Sequence, residues 1–223
     1  MKSLIFTDSR GQHKESFLSK PIFTEKLHKE FNSELLLCPY KWTTTMHFIQ
    51  LIENGRINID LYDKIILYTG VVEFSPRPIS NFKNATKDNE DFLRDFLGSY
   101  FDEATTYGID YMGEDTKSII SLNAYEEAVI PYLKTIGDKL MLINTNKIVK
   151  NWEGDYLKVN SNGRPKNIGV VEQYSKKTVG NFKNLVSILE WGDEEVQKYT
   201  VDNMHLTYAG SEYVYDKTKE YLK

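Results

Sequence analysis

The chain has 223 residues, of which 40% are hydrophobic and 27% are charged, and its formal net charge is −4. This size and balance are typical of one globular domain with a sizeable core. The small negative charge gives no electrostatic reason to expect a nucleic acid or an anionic membrane as partner. No run of about 18 apolar residues occurs, and the apolar segment behind Met1 and Lys2 is too short for a signal peptide. We therefore expect a cytoplasmic protein without membrane insertion.

Apolar runs of strand length recur along the chain and alternate with segments of helical character. The runs are nearly continuous, as in parallel strands that are covered on both faces. They are Ser3–Thr7, Glu34–Cys38, Lys64–Thr69, Lys139–Asn144 and, more weakly, Leu185–Leu189. The helical segments are Phe17–Phe31, Thr44–Asn54, Asp88–Tyr107, Leu122–Ile136 and Ala209–Leu222. This alternation predicts a single three-layer α/β/α domain over residues 1–223 with a mostly parallel five-stranded sheet.

Two stretches do not fit this alternation of strands and helices, namely residues 74–87 and a long surface excursion over residues 144–183. The excursion is rich in Asn, Gly and Lys and has few periodic apolar positions. Its Trp152 and Tyr156 could either stack on a sugar ring or attach the loop to the body of the protein. The single cysteine, Cys38, lies in an apolar run and is interpreted as a buried, inert thiol.

The first strand runs directly into Thr7-Asp8-Ser9-Arg10-Gly11. Ligand sites of open α/β sheets lie beyond the carboxyl ends of the strands, so Ser9 is placed to present its hydroxyl there. Asp and Ser are also common turn and helix-capping residues, and an ordinary turn explains the same string. Asp8 is expected to shape this turn rather than to bind a metal.

A second motif with candidate catalytic residues lies near the C-terminus, where residues 202–210 read DNMHLTYAG before the last helix. A hydroxyl nucleophile needs a base, and the base needs an acid that fixes its tautomer. Asp202 and His205 can supply this pair. The alternative is a helix-capping aspartate next to a partly buried histidine.

Together, the Asp-Ser string and the Asp-x-x-His-Leu-Thr-x-x-Gly string resemble the first and last blocks of the SGNH (GDSL-type) hydrolases. The resemblance covers nearly the whole chain and implies a flavodoxin-like SGNH hydrolase fold. It also implies that Ser9 is the nucleophile, His205 the general base and Asp202 its orienting partner. The Gly-x-Ser-x-Gly elbow of the α/β-hydrolases is absent from the sequence, which disfavours that class.

The chain departs from the family at the first and third blocks. Thr7 replaces the usual glycine before Asp-Ser. The third strand is followed by GVVEFSPRP, in which Gly70 matches the family glycine and Val72 stands where the oxyanion-hole asparagine is expected. This string resembles a variant third block of SGNH-like proteins encoded near bacterial polysaccharide genes. Arg77 is then the candidate that supplies positive charge to the substrate or oxyanion, unless it only pairs with Glu73 or surface acids.

After the second strand, Lys41, Trp42 and Thr43 are candidates for the oxyanion and substrate pocket, although a capped helix start explains the threonine as well. No sequence pattern indicates a metal site, and no nucleotide-binding string occurs. We therefore expect no cofactor and no metal.

The resemblance implies a serine esterase that acts on O-acyl groups, with O-acetyl groups of carbohydrates favoured. A sugar O-acetyltransferase that uses the same triad is the first alternative. A catalytically feeble SGNH-fold protein that binds a glycan or a partner is the second. The expected partner is a small-molecule or glycan acyl ester, and the sequence leaves the oligomeric state open.

Overall fold

The computed structural model describes residues 1–12, 20–87, 89–103 and 106–223. Its centre is a parallel sheet of five strands in the order β2-β1-β3-β6-β7. The strands of this sheet are β1 (Ser3–Thr7), β2 (Glu34–Leu37), β3 (Lys64–Tyr68), β6 (Leu140–Ile143) and β7 (Leu185–Val186). Two further short strands, β4 (Arg77–Pro78) and β5 (Thr116–Lys117), form an antiparallel pair.

The α-helices of the described residues lie between the strands and after them. They are α1 (Phe23–Phe31), α2 (Thr45–Glu53), α3 (Val71–Phe74), α4 (Ile79–Thr86), α5 (Glu90–Leu97), α6 (Leu122–Ala124), α7 (Ile130–Thr135), α8 (Tyr156–Val159), α9 (Val171–Thr178), α10 (Asp193–Tyr199) and α11 (Tyr208–Tyr221). A π-helical turn, Tyr125–Val129, joins α6 to α7.

Both faces of the sheet are buried, which explains why the strands read as continuous apolar runs. In β1, Leu4 and Phe6 belong to one core cluster, whereas Ile5 belongs to the other. The first cluster includes side chains from α2, α5, α7 and α9, and the second includes side chains from α1, α10 and α11. Successive strand residues point to opposite faces, so each strand contributes to two cores. The predicted three-layer fold with a five-stranded parallel sheet is confirmed.

Several local predictions differ from the structure. Residues 74–87, predicted as irregular, contain α4, and the 144–183 excursion contains α8 and α9. The helix predicted over Asp88–Tyr107 is shorter where the chain is described: α5 ends at Leu97 and a 3-10 turn follows over Gly98–Phe101, while residues 88, 104 and 105 lie outside the described residues. Helix α10 was not predicted. The predicted Phe17–Phe31 helix begins at Phe23 in the described part of the chain, and residues 17–19 lie outside it.

Parallel pairing brings three loops together at the carboxyl edge of the sheet. β1 pairs with β2 on one side and with β3 on the other, in a register that aligns Thr7 with Leu37 and Tyr68. The loops that follow β2 and β3 therefore flank the loop that begins at Asp8. None of the helices described here is long and apolar enough to cross a bilayer.

Candidate active site

Ser9 lies in a single 3-10 turn, Ser9–Gly11, at the end of β1. Asp8 caps this turn, because its Oδ1 accepts from the Arg10 backbone N–H at 3.0 Å. Arg10 also donates to the same carboxylate from Nε and Nη2, at 3.0 and 2.9 Å, and both side chains are buried. Burial is the largest single influence and would lower the pKa of Arg10, but the charges of Asp8, Tyr68 and Glu73 and the hydrogen bonds to Asp8 together raise it. Asp8 thus shapes the turn, as expected.

Close packing requires glycine at position 11. A Cβ there would lie 2.3 Å from Thr7 Oγ1, well inside contact distance. Thr7 occupies the position before Asp-Ser where the family usually has glycine, and its side chain is fully buried against this turn.

The C-terminal string forms a tight loop before α11, closed by a bridge between Thr200 and Leu206. Asp202 Oδ1 accepts from the backbone N–H groups of Met204 and His205, at 3.1 and 2.7 Å. One oxygen of the Asp202 carboxylate therefore stabilises the loop, and the other contacts the His205 imidazole. Asn203 has a φ of 69°, the left-handed conformation that asparagine tolerates better than most residues.

Ser9, His205 and Asp202 form one hydrogen-bonded chain across the two ends of the sequence. Asp202 Oδ2 lies 2.8 Å from His205 Nδ1, and His205 Nε2 lies 3.2 Å from Ser9 Oγ. An ionised carboxylate only accepts, so Nδ1 carries the proton and Nε2 is left to accept from the serine hydroxyl. This is the geometry of a nucleophile, a base and an orienting acid.

The charge state of Asp202 suits that role. Burial alone would raise the pKa of this carboxyl group, but hydrogen bonds and charge from His205, with the charge of Arg164, lower it to about 2. Asp202 is therefore ionised throughout the neutral range, where it can stabilise an imidazolium.

Arg164 is a contact of the site that the sequence patterns did not indicate. It lies in the 144–183 excursion, and its side chain is only 8% exposed. Nη2 donates to the Asp202 carbonyl at 2.6 Å and lies 3.2 Å from Asp202 Oδ2. The guanidinium also lies 3.8 Å from the ring centre of Tyr156, and Nη1 lies 3.0 Å from Met204 Sδ. Arg164 therefore stabilises the loop that carries Asp202.

Trp152 and Tyr156 both attach the excursion to this loop. The Trp152 carbonyl accepts from Asn203 Nδ2, and its half-buried ring packs on the core. The Tyr156 ring lies against Arg164, and its hydroxyl accepts from Asn160 Nδ2 at 2.9 Å. These contacts correspond to the loop-attachment alternative of the sequence analysis.

The third block has the backbone that the sequence pattern requires but lacks the side-chain donor. Gly70 precedes α3 with a φ of 121°, and a Cβ there would lie 2.8 Å from the Phe74 ring, so only glycine fits. Val72 is almost fully buried and offers no side-chain hydrogen bond. Arg77 lies beside it, because Arg77 Nε donates to the Val72 carbonyl at 3.0 Å.

Arg77 has an aromatic neighbour and, among the described residues, no ion-pair partner. Its guanidinium lies 4.8 Å from the ring centre of Trp42. No carboxylate of the described residues lies within 4 Å of it, so the alternative of an ion pair with Glu73 is not observed. Burial is the main influence on the Arg77 side chain and lowers its pKa to about 10.

In the loop after β2, Trp42 contacts Arg77, and Thr43 stabilises the conformation of the loop. Thr43 is buried, and its hydroxyl both donates to the Tyr40 carbonyl at 2.8 Å and accepts from the Tyr40 N–H at 3.0 Å. Thr43 thus closes the loop, whereas Lys41 is exposed and Trp42 half-buried. The backbone N–H groups of Ser9, Lys41 and Trp42 have no acceptor among the residues described, so they are candidate oxyanion donors.

Glu73 is a fully buried carboxyl group behind the third block. Its Oε1 accepts from the Thr45 backbone N–H at 2.8 Å, which connects α3 to the start of α2. Its Oε2 is buried without a hydrogen-bond partner in the described part of the chain. Burial raises the pKa of Glu73 from 4.5 to about 6, against the opposing effect of the bonds from Thr45.

This raised pKa makes the stability of the protein depend on pH in a defined direction. The folded state takes up the Glu73 proton at higher pH than the unfolded state, so acidification from pH 7.5 to 4.5 should stabilise the fold by about 2 kcal/mol through this group. In Glu73→Gln this contribution should be missing. Urea unfolding of both proteins at several pH values measures the difference, and parallel pH curves for the two would contradict the assignment.

Within the described residues, no group of three or more His, Cys, Asp or Glu side chains could hold a metal ion. Cys38 is half-buried rather than buried as predicted, and its thiol lies 3.4 Å from the Tyr40 carbonyl. Of the other histidines, His13 lies outside the described residues, and His47 is buried at the start of α2.

Comparison with solved structures identifies the fold. A lipase/acylhydrolase from Enterococcus faecalis matches with a TM-score of 0.53 and 11% identity, over 99% of this chain and 95% of that chain. A protein from Lactobacillus plantarum matches with a TM-score of 0.50 and 15% identity, over 99% and 95% of the two chains. A scan against protein-family models and a search of curated proteins both gave no match. The chain therefore has the fold of the SGNH hydrolases, as the sequence resemblance implies.

Proposed function

We propose that this chain is a serine-dependent acyl ester hydrolase with Ser9, His205 and Asp202 as its catalytic triad. The observation that carries the proposal is the unbroken hydrogen-bonded chain from Ser9 Oγ to Asp202 Oδ2 at the carboxyl edge of the sheet. The similarity of its fold to that of the lipase/acylhydrolase supports the same reaction class.

In the first half-reaction, Ser9 Oγ attacks the ester carbonyl carbon while His205 Nε2 accepts the hydroxyl proton. The tetrahedral oxyanion then collapses, the bond to the leaving oxygen breaks, and His205 returns the proton to that oxygen. An alcohol leaves and an acyl group remains on Ser9. In the second half-reaction, His205 Nε2 takes a proton from water, whose oxygen attacks the acyl carbon. The bond to Ser9 Oγ then breaks, His205 returns the proton to Ser9, and the acid leaves.

The oxyanion in this mechanism lacks the side-chain amide donor that the family pattern places at the position of Val72. The Ser9 N–H and the N–H groups of the loop after β2 supply backbone donors, and Arg77, which donates to the Val72 carbonyl, is the proposed substitute for the missing side-chain amide. Removal of one oxyanion donor typically costs about 10²–10³ in turnover, so we expect a slower enzyme unless Arg77 compensates.

For the substrate, we propose O-acetyl groups of carbohydrates, on the basis of the third-block resemblance. Transfer to a sugar hydroxyl in place of water would make the protein an O-acetyltransferase. Supplying an acetyl donor together with a polysaccharide acceptor separates the two, because only a transferase yields acetylated polysaccharide.

Labelling with a fluorophosphonate probe tests the proposed nucleophile directly. The wild-type protein should be modified at Ser9, and Ser9→Ala should not be labelled. Ser161→Ala, at an exposed serine of the excursion, is the matched control and should label normally. Absence of labelling, together with equal background turnover of p-nitrophenyl acetate by wild type and Ser9→Ala, would favour the glycan-binding alternative that the missing donor at Val72 supports.

A further inference from the structure

A cavity of about 280 Å³ lies beside the loop after β2 and has no part in the acyl-transfer steps. Apart from Ala85, the side chains around it are aromatic, amide-bearing or cationic, and no aspartate or glutamate is among them. They include Tyr40, Lys41, Trp42, Gln50, Arg56 and Asn84. In a chain with more acidic than basic residues, such a lining favours an anionic, hydroxyl-rich ligand.

Trp42 lines this cavity and contacts two cations, Lys41 and Arg77. The Lys41 ammonium is 5.8 Å from the indole centre, and the Arg77 guanidinium is 4.8 Å from it. Neither cation forms an ion pair with a carboxylate in the described chain. Two cations on one ring without a counterion repel each other, and an anion bound between them would remove that cost.

The arginine is held in a way that leaves its terminal nitrogens available. Arg77 Nε donates to the Val72 carbonyl, and Nη1 and Nη2 have no partner among the residues described. A guanidinium fixed through Nε can still offer its Nη groups to a carboxylate or phosphate.

Trp42 and Arg77 lie after the two strands that flank the strand of the candidate nucleophile. Trp42 follows β2 and Arg77 follows β3, the two strands that flank β1 and therefore Ser9. Contact between Trp42 and Arg77 joins the two flanking loops beside the Ser9 turn. A sugar whose acyl group reaches Ser9 would thus extend toward Trp42.

We propose that this cavity, together with Arg77, binds an anionic sugar unit, so that the ester substrate belongs to an acidic rather than a neutral glycan. The proposal rests on the proposed esterase function and specifies its substrate. The faces of Trp42 and Tyr40 contact the C–H groups of the ring, Gln50 and Asn84 bond its hydroxyls, and the cations bind its carboxylate or phosphate.

Calorimetric binding to the intact protein tests the proposal without depending on catalysis. The probes are digalacturonate, glucose 6-phosphate and neutral cellobiose. At least one anionic probe should bind on the order of tenfold more tightly than cellobiose, and the tighter of the two identifies carboxylate or phosphate. Lys41→Gln and Arg77→Gln should each weaken that binding about tenfold.

Lys217→Gln is the matched control, since Lys217 is exposed on α11, on the opposite side of the sheet. It should bind all three probes as the wild type does. Equal affinity for anionic and neutral probes, or unchanged affinity in Lys41→Gln and Arg77→Gln, would overturn the inference. Loss of the proposed esterase function would show instead as absent Ser9 labelling, which these binding data do not affect.

Discussion

Replacing Asp202 with Asn is expected to lower kcat for p-nitrophenyl acetate about 10⁴-fold, the loss known for a triad acid that sets the histidine tautomer. The Asn carbonyl oxygen can still accept from the backbone N–H groups of Met204 and His205, so the loop keeps its shape. The amide NH₂ would then face His205 Nδ1 and donate to it. The imidazole proton moves to Nε2, which can no longer accept from Ser9.

Steady-state kinetics measures this loss, and urea unfolding establishes that the variant is folded. Asp216→Asn is the matched control, because Asp216 is an exposed aspartate of α11 that pairs with Lys219. It should retain wild-type turnover. A folded Asp202→Asn protein with more than a tenth of wild-type kcat would show that Asp202 does not orient the base.

The sheet could be predicted because its strands carry a strong local signal. Each strand is buried on two faces, so almost every residue is apolar and the run is visible without alternation. In β3, for example, Ile65 and Leu67 enter one core and Ile66 and Tyr68 the other. Right-handed crossovers are compatible with several strand orders, so the order β2-β1-β3-β6-β7 comes from the structure and was not predicted.

The short helices could not be predicted in the same way, because tertiary contacts define them. The buried positions of α9 are Val171, Tyr174, Ser175 and Thr178, which have helical spacing. Two of the four are polar, so the apolar period is incomplete. Ser175 is buried because its hydroxyl bonds the backbone and side chain of Thr145 after β6. That partner is 30 residues away in the sequence.

In the candidate site, too, some residues have a local sequence signal, whereas others are defined only by tertiary contacts. Ser9, Asp202 and His205 lie in two short strings. Each string alone also fits an ordinary turn or a capped helix, and only the two together indicated a site. Arg164 belongs to no string, and 38 residues separate it from Asp202. Its neighbours Gly163 and Pro165 predict a loop, and nothing local distinguishes a buried arginine from an exposed one. Only the packing of the excursion against the 201–205 loop reveals its role.

Arg164→Gln is expected to lower kcat/KM by about 10- to 100-fold, the range for misplacement of a catalytic group, with most of the effect in kcat. The change removes the donor to the Asp202 carbonyl and the charge beside Asp202 Oδ2. The charge of Arg164 helps to keep the Asp202 carboxylate ionised. Because that charge is gone in Arg164→Gln, the acid limb of the kcat/KM–pH profile should move to higher pH. Arg164→Lys keeps the charge and should move the limb less.

A purely structural role for Arg164 would give a different result. Lower activity would then follow the folded fraction, and the pH profile of the folded protein would stay in place. Lys158→Gln serves as the comparison, since Lys158 is exposed in the same excursion and pairs only with Asp155 among the described residues. If Arg164→Gln and Lys158→Gln gave the same pH profile, the excursion would support the fold of the 201–205 loop without tuning Asp202. A shift confined to Arg164→Gln would make this arginine the positioning residue of the triad.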